Sequence, residues 1–392
     1  MTIFARTVAA SILFAAGQMV LLVLGPRTRA AGTFVTADGI SLLAPDSRTY
    51  LSIAESPASI LAQPWTRWGY PLALYLGELA GLGPSFVVAV QAVVLVIAAV
   101  LLHTMTAEVA GERSGLIAAA ILLVNPLTAQ WVRFALTETF MLAGVIAAVW
   151  FGTRRALADH RGHAVGLVGV GVLLSVLRPN GVLVLGAGVA VLVLARSEHL
   201  PRGRRSLRVA AVWAVTVALL GASAVVSGPP AEGSITAQLY SGVVIEGTEE
   251  VRTSIPMPAP ADATDESVRA AVRFALGDPL AVARLAMTRV VVELAQVRPH
   301  YPIAVNLAVG SAMAFLLIAL LLGATDARAR RLREVGITVA LPLLLLIGAT
   351  FAVPEGRYGW APLVALLPLA GVGAERVLAA AMPTTARRGA TR

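Results

Sequence analysis

Apolar residues run along this chain in blocks of about 15–22, longer than core strands and mostly parted by short polar turns. The blocks fall at 4–24, 84–103, 114–129, 135–152, 164–178, 180–195, 208–227, 302–323, 335–353 and 359–380. A hydrocarbon core about 30 Å thick needs roughly 20 residues of helix to cross it. Backbone groups in lipid must pair within their own segment, so the pattern predicts about ten transmembrane helices. Strand alternation of the barrel type is absent.

Arginine placement orients the helices. Arg154, Arg155 and Arg161, then Arg196, Arg202, Arg204, Arg205 and Arg208, then Arg328, Arg330, Arg331 and Arg333, fall in alternate turns, and Arg387, Arg388 and Arg392 follow the last block. The turns between hold Arg133, Arg178 and Arg357 singly. Basic residues favour the cytoplasmic side, so both termini are expected inside. The first block reads as a retained signal anchor, because Thr28-Arg29-Ala30 is a poor cleavage site.

The expected fold is an all-α integral membrane protein, with residues 1–380 a single polytopic domain. Two long extracytoplasmic loops span 25–84 and 228–301, and 381–392 form a basic cytoplasmic tail. In the first loop, Asp46 to Ser56 predicts a short helix with Asp46 as a candidate N-cap. Tyr70 to Leu82 is apolar but, at about 13 residues, too short to cross. In the second loop, Thr264-Asp265-Glu266 and Asp278-Pro279 predict helix starts. The helix after Pro279 carries Arg284, Arg289 and Glu293, which favours an interfacial position over an eleventh span.

Composition agrees with this pattern. The 392 residues are 57% hydrophobic and only 14% charged, against about 25% charged in average soluble domains. All 31 basic residues are Arg. The net charge of +9 does not point to nucleic acid, because the arginines cluster in short turns between apolar runs. With no Cys, thiolate chemistry and disulfides are excluded. The chain has no P-loop, no Gly-x-Ser-x-Gly elbow, no His-Glu-x-x-His and no Asp-x-Asp.

Candidate chemistry collects on the outer side of this topology. Pro45-Asp46-Ser47-Arg48-Thr49-Tyr50 and Arg67-Trp68-Gly69-Tyr70-Pro71 lie in the first loop. Arg133 precedes Thr137-Glu138, Arg178-Pro179-Asn180 makes a turn, and Glu355-Gly356-Arg357-Tyr358 makes the last. Guanidinium groups suit a phosphate, and a carboxylate can take a proton from an attacking hydroxyl. The plainer alternatives are snorkelling for Arg178 and Arg357, an aromatic belt for Trp65, Trp68 and Tyr70, and an ion pair of Glu138 with Arg133.

At these residues the chain resembles the GT-C superfamily of polytopic glycosyltransferases, close to the protein O-mannosyltransferase and lipid A aminoarabinose transferase groups. The matching elements are the Pro45–Tyr50 acidic motif, Arg67 to Pro71, Gln91, Thr137-Glu138, Arg178-Pro179, Asp278-Pro279 and Arg357-Tyr358 with Pro362. They come in the family's order across about residues 1–380. Ser47 stands where many relatives have a second adjacent carboxylate.

The resemblance implies an inverting transfer from a polyprenyl-phosphate-linked sugar to a glycan, lipid or protein acceptor. Asp46 would be the base, Glu138 would orient the acceptor or Asp46, and Arg357 and Arg178 would bind the donor phosphate. Tyr50, Arg67, Tyr70, Arg133 and Tyr358 would line the substrate pocket at the plasma membrane. No cofactor is required by this scheme, although Asp46 and Glu138 leave a divalent cation open. The competing expectations are a lipid-linked sugar transporter without catalysis and a structural subunit of an envelope-assembly complex.

Overall fold

The computed structural model describes residues 1–24, 34–35, 42–157, 161–196, 201, 203–204, 207–208, 210–216, 235–245, 251–265, 267–350 and 357–381. Among them the architecture is all-α apart from two short antiparallel ribbons. Phe34–Val35 (β1) pairs with Leu42–Leu43 (β2), and Val243–Ile245 (β3) pairs with Thr253–Ser254 (β4).

Helix α1 covers Ile3–Leu24. The first loop folds into α2 (Pro45–Ile53), α3 (Pro57–Leu61), a 3-10 turn at Trp65–Arg67 and α4 (Gly69–Leu79). Then come α5 (Gly83–Ala110), α6 (Glu112–Val124) and α7 (Pro126–Ala129), with a 3-10 turn at Gln130–Arg133. Next are α8 (Glu138–Leu157), α9 (Arg161–Leu177) and α10 (Gly181–Arg196). The second loop supplies α11 (Ile235–Tyr240), α12 (Val268–Gly277) and α13 (Pro279–Ala295). The chain closes with α14 (Ile303–Ala324), α15 (Arg330–Ala349) and α16 (Trp360–Ala381).

Among the described residues, five helices are long and apolar enough to cross a membrane: α1, α5, α14, α15 and α16. A sixth crossing results if α6 and the segment Pro126–Arg133 count as one span bent by 55°. The sequence pattern runs straight through that bend. Pro126 forces it, since proline cannot donate to the preceding turn and pushes Asn125 to an extended conformation. The Asn125 side chain then accepts from Leu127 N at 3.0 Å and starts the next turn. Helices α9 and α10 have 17 and 16 residues. At 1.5 Å per residue, 16 residues rise about 24 Å, short of a 30 Å core. The block expected at 208–227 is helical at 208 and over 210–216, and its remainder lies outside the described residues.

Helix α16 is buried along most of its length between α14, α6, α15 and α8. Its approach to α14 requires small residues. A Cβ on Gly373 would lie 1.8 Å from the Ala319 carbonyl oxygen, and one on Gly323 would lie 1.9 Å from that of Leu369. Without a hydrophobic drive between helices in lipid, such backbone contact is what packs them.

The loop helices depart from expectation in three ways. Asp46 is not the cap of α2. Ala44 is, with its N–H donating to Ser47 Oγ at 3.0 Å, and this frees the Asp46 carboxylate for other contacts. Helix α12 starts after Ser267 rather than at Thr264, because Ser267 Oγ accepts from Ala270 N while Asp265 turns the chain before it. Helix α13 starts at Pro279 as the sequence predicts, but it buries two of its charges, Arg289 and Glu293, and exposes Leu280, Met287 and Val291. Arg289 donates to the carbonyls of Val243, Gln238, Gly348 and Ala349. The last two end α15, where a cation suits the helix dipole. Burial lowers this guanidinium to about 10, so it stays charged at neutral pH.

Candidate functional site

Four elements bring the site together. Asp46 stands in the first turn of α2 and Glu138 in the first turn of α8. Arg178 follows the end of α9, and Arg357 lies just before α16. Their charges alternate in a chain. Asp46 Oδ2 accepts from Arg357 Nη2 at 2.5 Å, Arg357 Nη1 lies 3.4 Å from Glu138 Oε1, and Arg178 Nη1 donates to the same Oε1 at 3.0 Å. Glu138 is 4% exposed and Asp46 about half exposed, at 52%. The Tyr358 ring carries both cations, with Cζ of Arg178 5.1 Å and that of Arg357 5.3 Å from its centroid.

This geometry corrects the expected pairing of Glu138 with Arg133, since its salt bridges go to Arg178 and Arg357. Nor do Arg178 and Arg357 snorkel outward: each points inward at a carboxylate shared between them. Two acids and two bases are close to neutral together, which lowers the cost of burying them.

An aromatic wall stands beside the quartet. Tyr50 meets Tyr70 edge-on at 5.0 Å, and Tyr70 meets Phe140 at 6.1 Å. Burial pushes the Tyr50 phenol above its ordinary value against the pull of Arg178, and Tyr50 bonds to the Thr137 side chain. Burial drives the Tyr70 phenol higher still, with Glu138 and Tyr50 adding to the shift. Both tyrosines therefore keep their protons at any physiological pH. Glu138 Oε2, Tyr70 Oη and Asn180 Oδ1 are buried and have no hydrogen-bond partner among the described residues. Buried polar atoms are nearly always satisfied, so these three leave hydrogen-bonding capacity open beside the charge cluster.

The other two residues expected in the pocket lie elsewhere. Arg67 is exposed at the end of its 3-10 turn and has no salt bridge among the described residues. Arg133 is half-buried and lines a separate groove with Phe14 and Phe86. Glu355 and Asp38 lie outside the described residues.

A second layer holds the arginine turn, and the sequence pattern did not single it out for this role. Glu293 is fully buried, and its Oε1 accepts from the N–H groups of Tyr358 at 2.9 Å and Gly359 at 3.0 Å. Its Oε2 accepts from Arg298 Nη2 at 2.8 Å. The carboxylate thus occupies the positive start of α16 and fixes the residues next to Arg357. Gln91 does the same for the strap before Glu138, donating to the carbonyls of Val132 and Phe134, both at 2.8 Å.

A metal fits this donor set poorly. Among the described residues no three His, Asp or Glu side chains form a ligating group, and a guanidinium lies between Asp46 and Glu138. Beside Arg178 and Tyr358, a cavity of about 220 Å³ is walled by Leu343, Leu346 and Ile347 of α15. An ionic pocket thus adjoins an apolar one. Comparison with protein-family models, with curated proteins and with solved structures finds no match.

Proposed function

We propose that this chain is an inverting glycosyltransferase that moves a sugar from a polyprenyl-phosphate donor to a hydroxyl acceptor outside the plasma membrane. In this reading about ten helices cross the bilayer, with both termini cytoplasmic and the loops 25–84 and 228–301 outside. The observation that carries it is the alternating quartet Asp46–Arg357–Glu138–Arg178 set against the apolar cavity at Leu343, Leu346 and Ile347. A lipid phosphate needs both: cations for its headgroup and an apolar wall for its chain.

Arg178 and Arg357 bind the phosphate, while the first isoprene units lie along α15. Drawing Arg357 toward phosphate releases Asp46 Oδ2. The acceptor oxygen attacks the anomeric carbon from the face opposite the phosphate, and its proton passes to Asp46. The bond from anomeric carbon to phosphate oxygen breaks, and its electron pair leaves with the polyprenyl phosphate. The two guanidiniums stabilise the charge that grows there. Glu138 Oε2 and the Tyr70 hydroxyl hold sugar hydroxyls.

The test is Asp46→Asn. It keeps the shape and removes the base, so transfer should fall about 10²–10⁴-fold with the protein still folded in membranes. Turnover near wild type in that variant removes Asp46 from the mechanism.

A further inference from the structure

The helices that deliver the site are shorter than their neighbours. The uncharged stretches 139–153 of α8, 164–177 of α9, 181–195 of α10 and 335–349 of α15 each rise about 21–23 Å at 1.5 Å per residue. Those of α5 (83–102) and α14 (303–324) rise about 30 and 33 Å. The two sets are level at the end opposite the quartet. There Arg154 of α8 pairs with Glu108 of α5, Arg333 of α15 donates to the Ala324 carbonyl that ends α14, and Arg376 of α16 donates to the Leu322 carbonyl at 2.8 Å. The difference in length therefore falls at the site's end. Gln91 gives the same measure independently. It holds the strap before Glu138, and α5 extends eight residues beyond it to Gly83, about 12 Å.

Apolar surface follows the longer helices to their tops. Helix α4 packs Gly77 against Gly83 and Phe86 of α5 and turns Leu72, Leu76 and Leu79 outward, while α14 exposes Ile303 and Leu307. Exposed apolar surface of this extent belongs against lipid. On the shorter helices it stops lower, with Leu173 the last large exposed apolar residue of α9 and Leu345 that of α15. These two helices are joined through α8 and α10 and form one side of the molecule.

We propose that the outer leaflet is drawn inward by about 10 Å beside α9 and α15, so that the protein sits in a bilayer of two thicknesses. A bilayer that faces a short apolar stretch thins to match it. Helix lengths alone carry the thinning; its use rests on the transferase reading above. Beside α5 or α14, a phosphate in the outer headgroup layer stands about 10 Å above Arg178 and Arg357. In the dip that layer comes level with both guanidiniums and with the apolar cavity at α15. A lipid phosphate then reaches them sideways, without leaving its leaflet.

Since the chain has no cysteine, single thiols can carry a bimane fluorophore at Leu173→Cys, Leu345→Cys and Leu307→Cys. All three positions are exposed and stand four residues, about 6 Å, from the site's end of α9, α15 and α14. The full chain is reconstituted in dioleoyl phosphatidylcholine containing a phosphatidylcholine with a nitroxide either near its headgroup or near its chain end. The shallow nitroxide should quench all three labels at least twofold more than the deep one. A flat bilayer as thick as α14 is long puts 173 and 345 about 10 Å deeper, so stronger quenching of those two by the deep nitroxide overturns the thinning. Quenching of the label at 307 by aqueous iodide also overturns it, because the end of α14 then stands in water.

A turnover arm separates the two readings. Transfer should fall at least fivefold when dioleoyl is replaced by the longer dierucoyl phosphatidylcholine, which lifts the headgroup layer off the arginines. Turnover indifferent to chain length overturns the use of the dip by the donor. Transfer with 173 and 345 lying deep overturns the thinning and leaves the transferase. Labels at one depth without transfer to any acceptor leave the thinning and overturn the transferase.

Discussion

Glu293 shows how a residue far from the chemistry sets its geometry. Its carboxylate receives two backbone N–H groups and one guanidinium, all in a region closed to water. Glu293→Ala leaves Arg298 buried without its acid and Tyr358 without its anchor. Losing one partner of a buried pair costs about 3–5 kcal/mol, so thermal unfolding in detergent should shift sharply downward. An unchanged midpoint would mean that the turn before α16 holds itself. The quartet itself was legible in the sequence, because lone charges at the edges of apolar runs stand out against a nearly charge-free background. Glu293 was not. It lies five residues before Arg298, a spacing that shares no helix face. The two meet because Gln296 takes a left-handed conformation, with φ of 58°, and turns the chain back after α13. Long side chains also mislead: Arg67 and Arg133 read as members of the pocket, but each sits on a 3-10 turn that aims it elsewhere.

At the scale of elements, hydrophobic blocks located α5, α14, α15 and α16 to within a few residues of their starts or ends. Length alone carried that success, since a run of about 20 apolar residues has few other folded forms. What the blocks could not show is where a run bends. Asn125-Pro126 sits inside one, and composition averages hide a single proline. Amphipathic loop helices were harder still. Helix α13 carries charges that suggest a wet face, yet Arg289 reaches backbone carbonyls and Glu293 reaches N–H groups, so its polar side is the buried one. A pattern of polar positions cannot say whether its partner is solvent or protein backbone.

Over the whole molecule, charges gather at two ends. Opposite the quartet, Glu112 binds the amino terminus, Arg6 and His103, Ser114 meets Glu375, and Arg376 reaches Leu322 and Thr325. Since the chain has no cysteine, single thiols can report which end faces which compartment. In intact cells, an impermeant maleimide should label Ser52→Cys, and should label Ala327→Cys only after lysis. Equal labelling of both before lysis would place the two ends on one side and dissolve the proposed site. The shared hold on Arg357 has a last consequence under the proposed transfer. While that guanidinium rests on Asp46 the base is occupied, and it is freed only once a phosphate has drawn Arg357 away. Substrates must then arrive in a compulsory sequence, phosphate carrier before hydroxyl, and initial-rate kinetics showing random addition would contradict it.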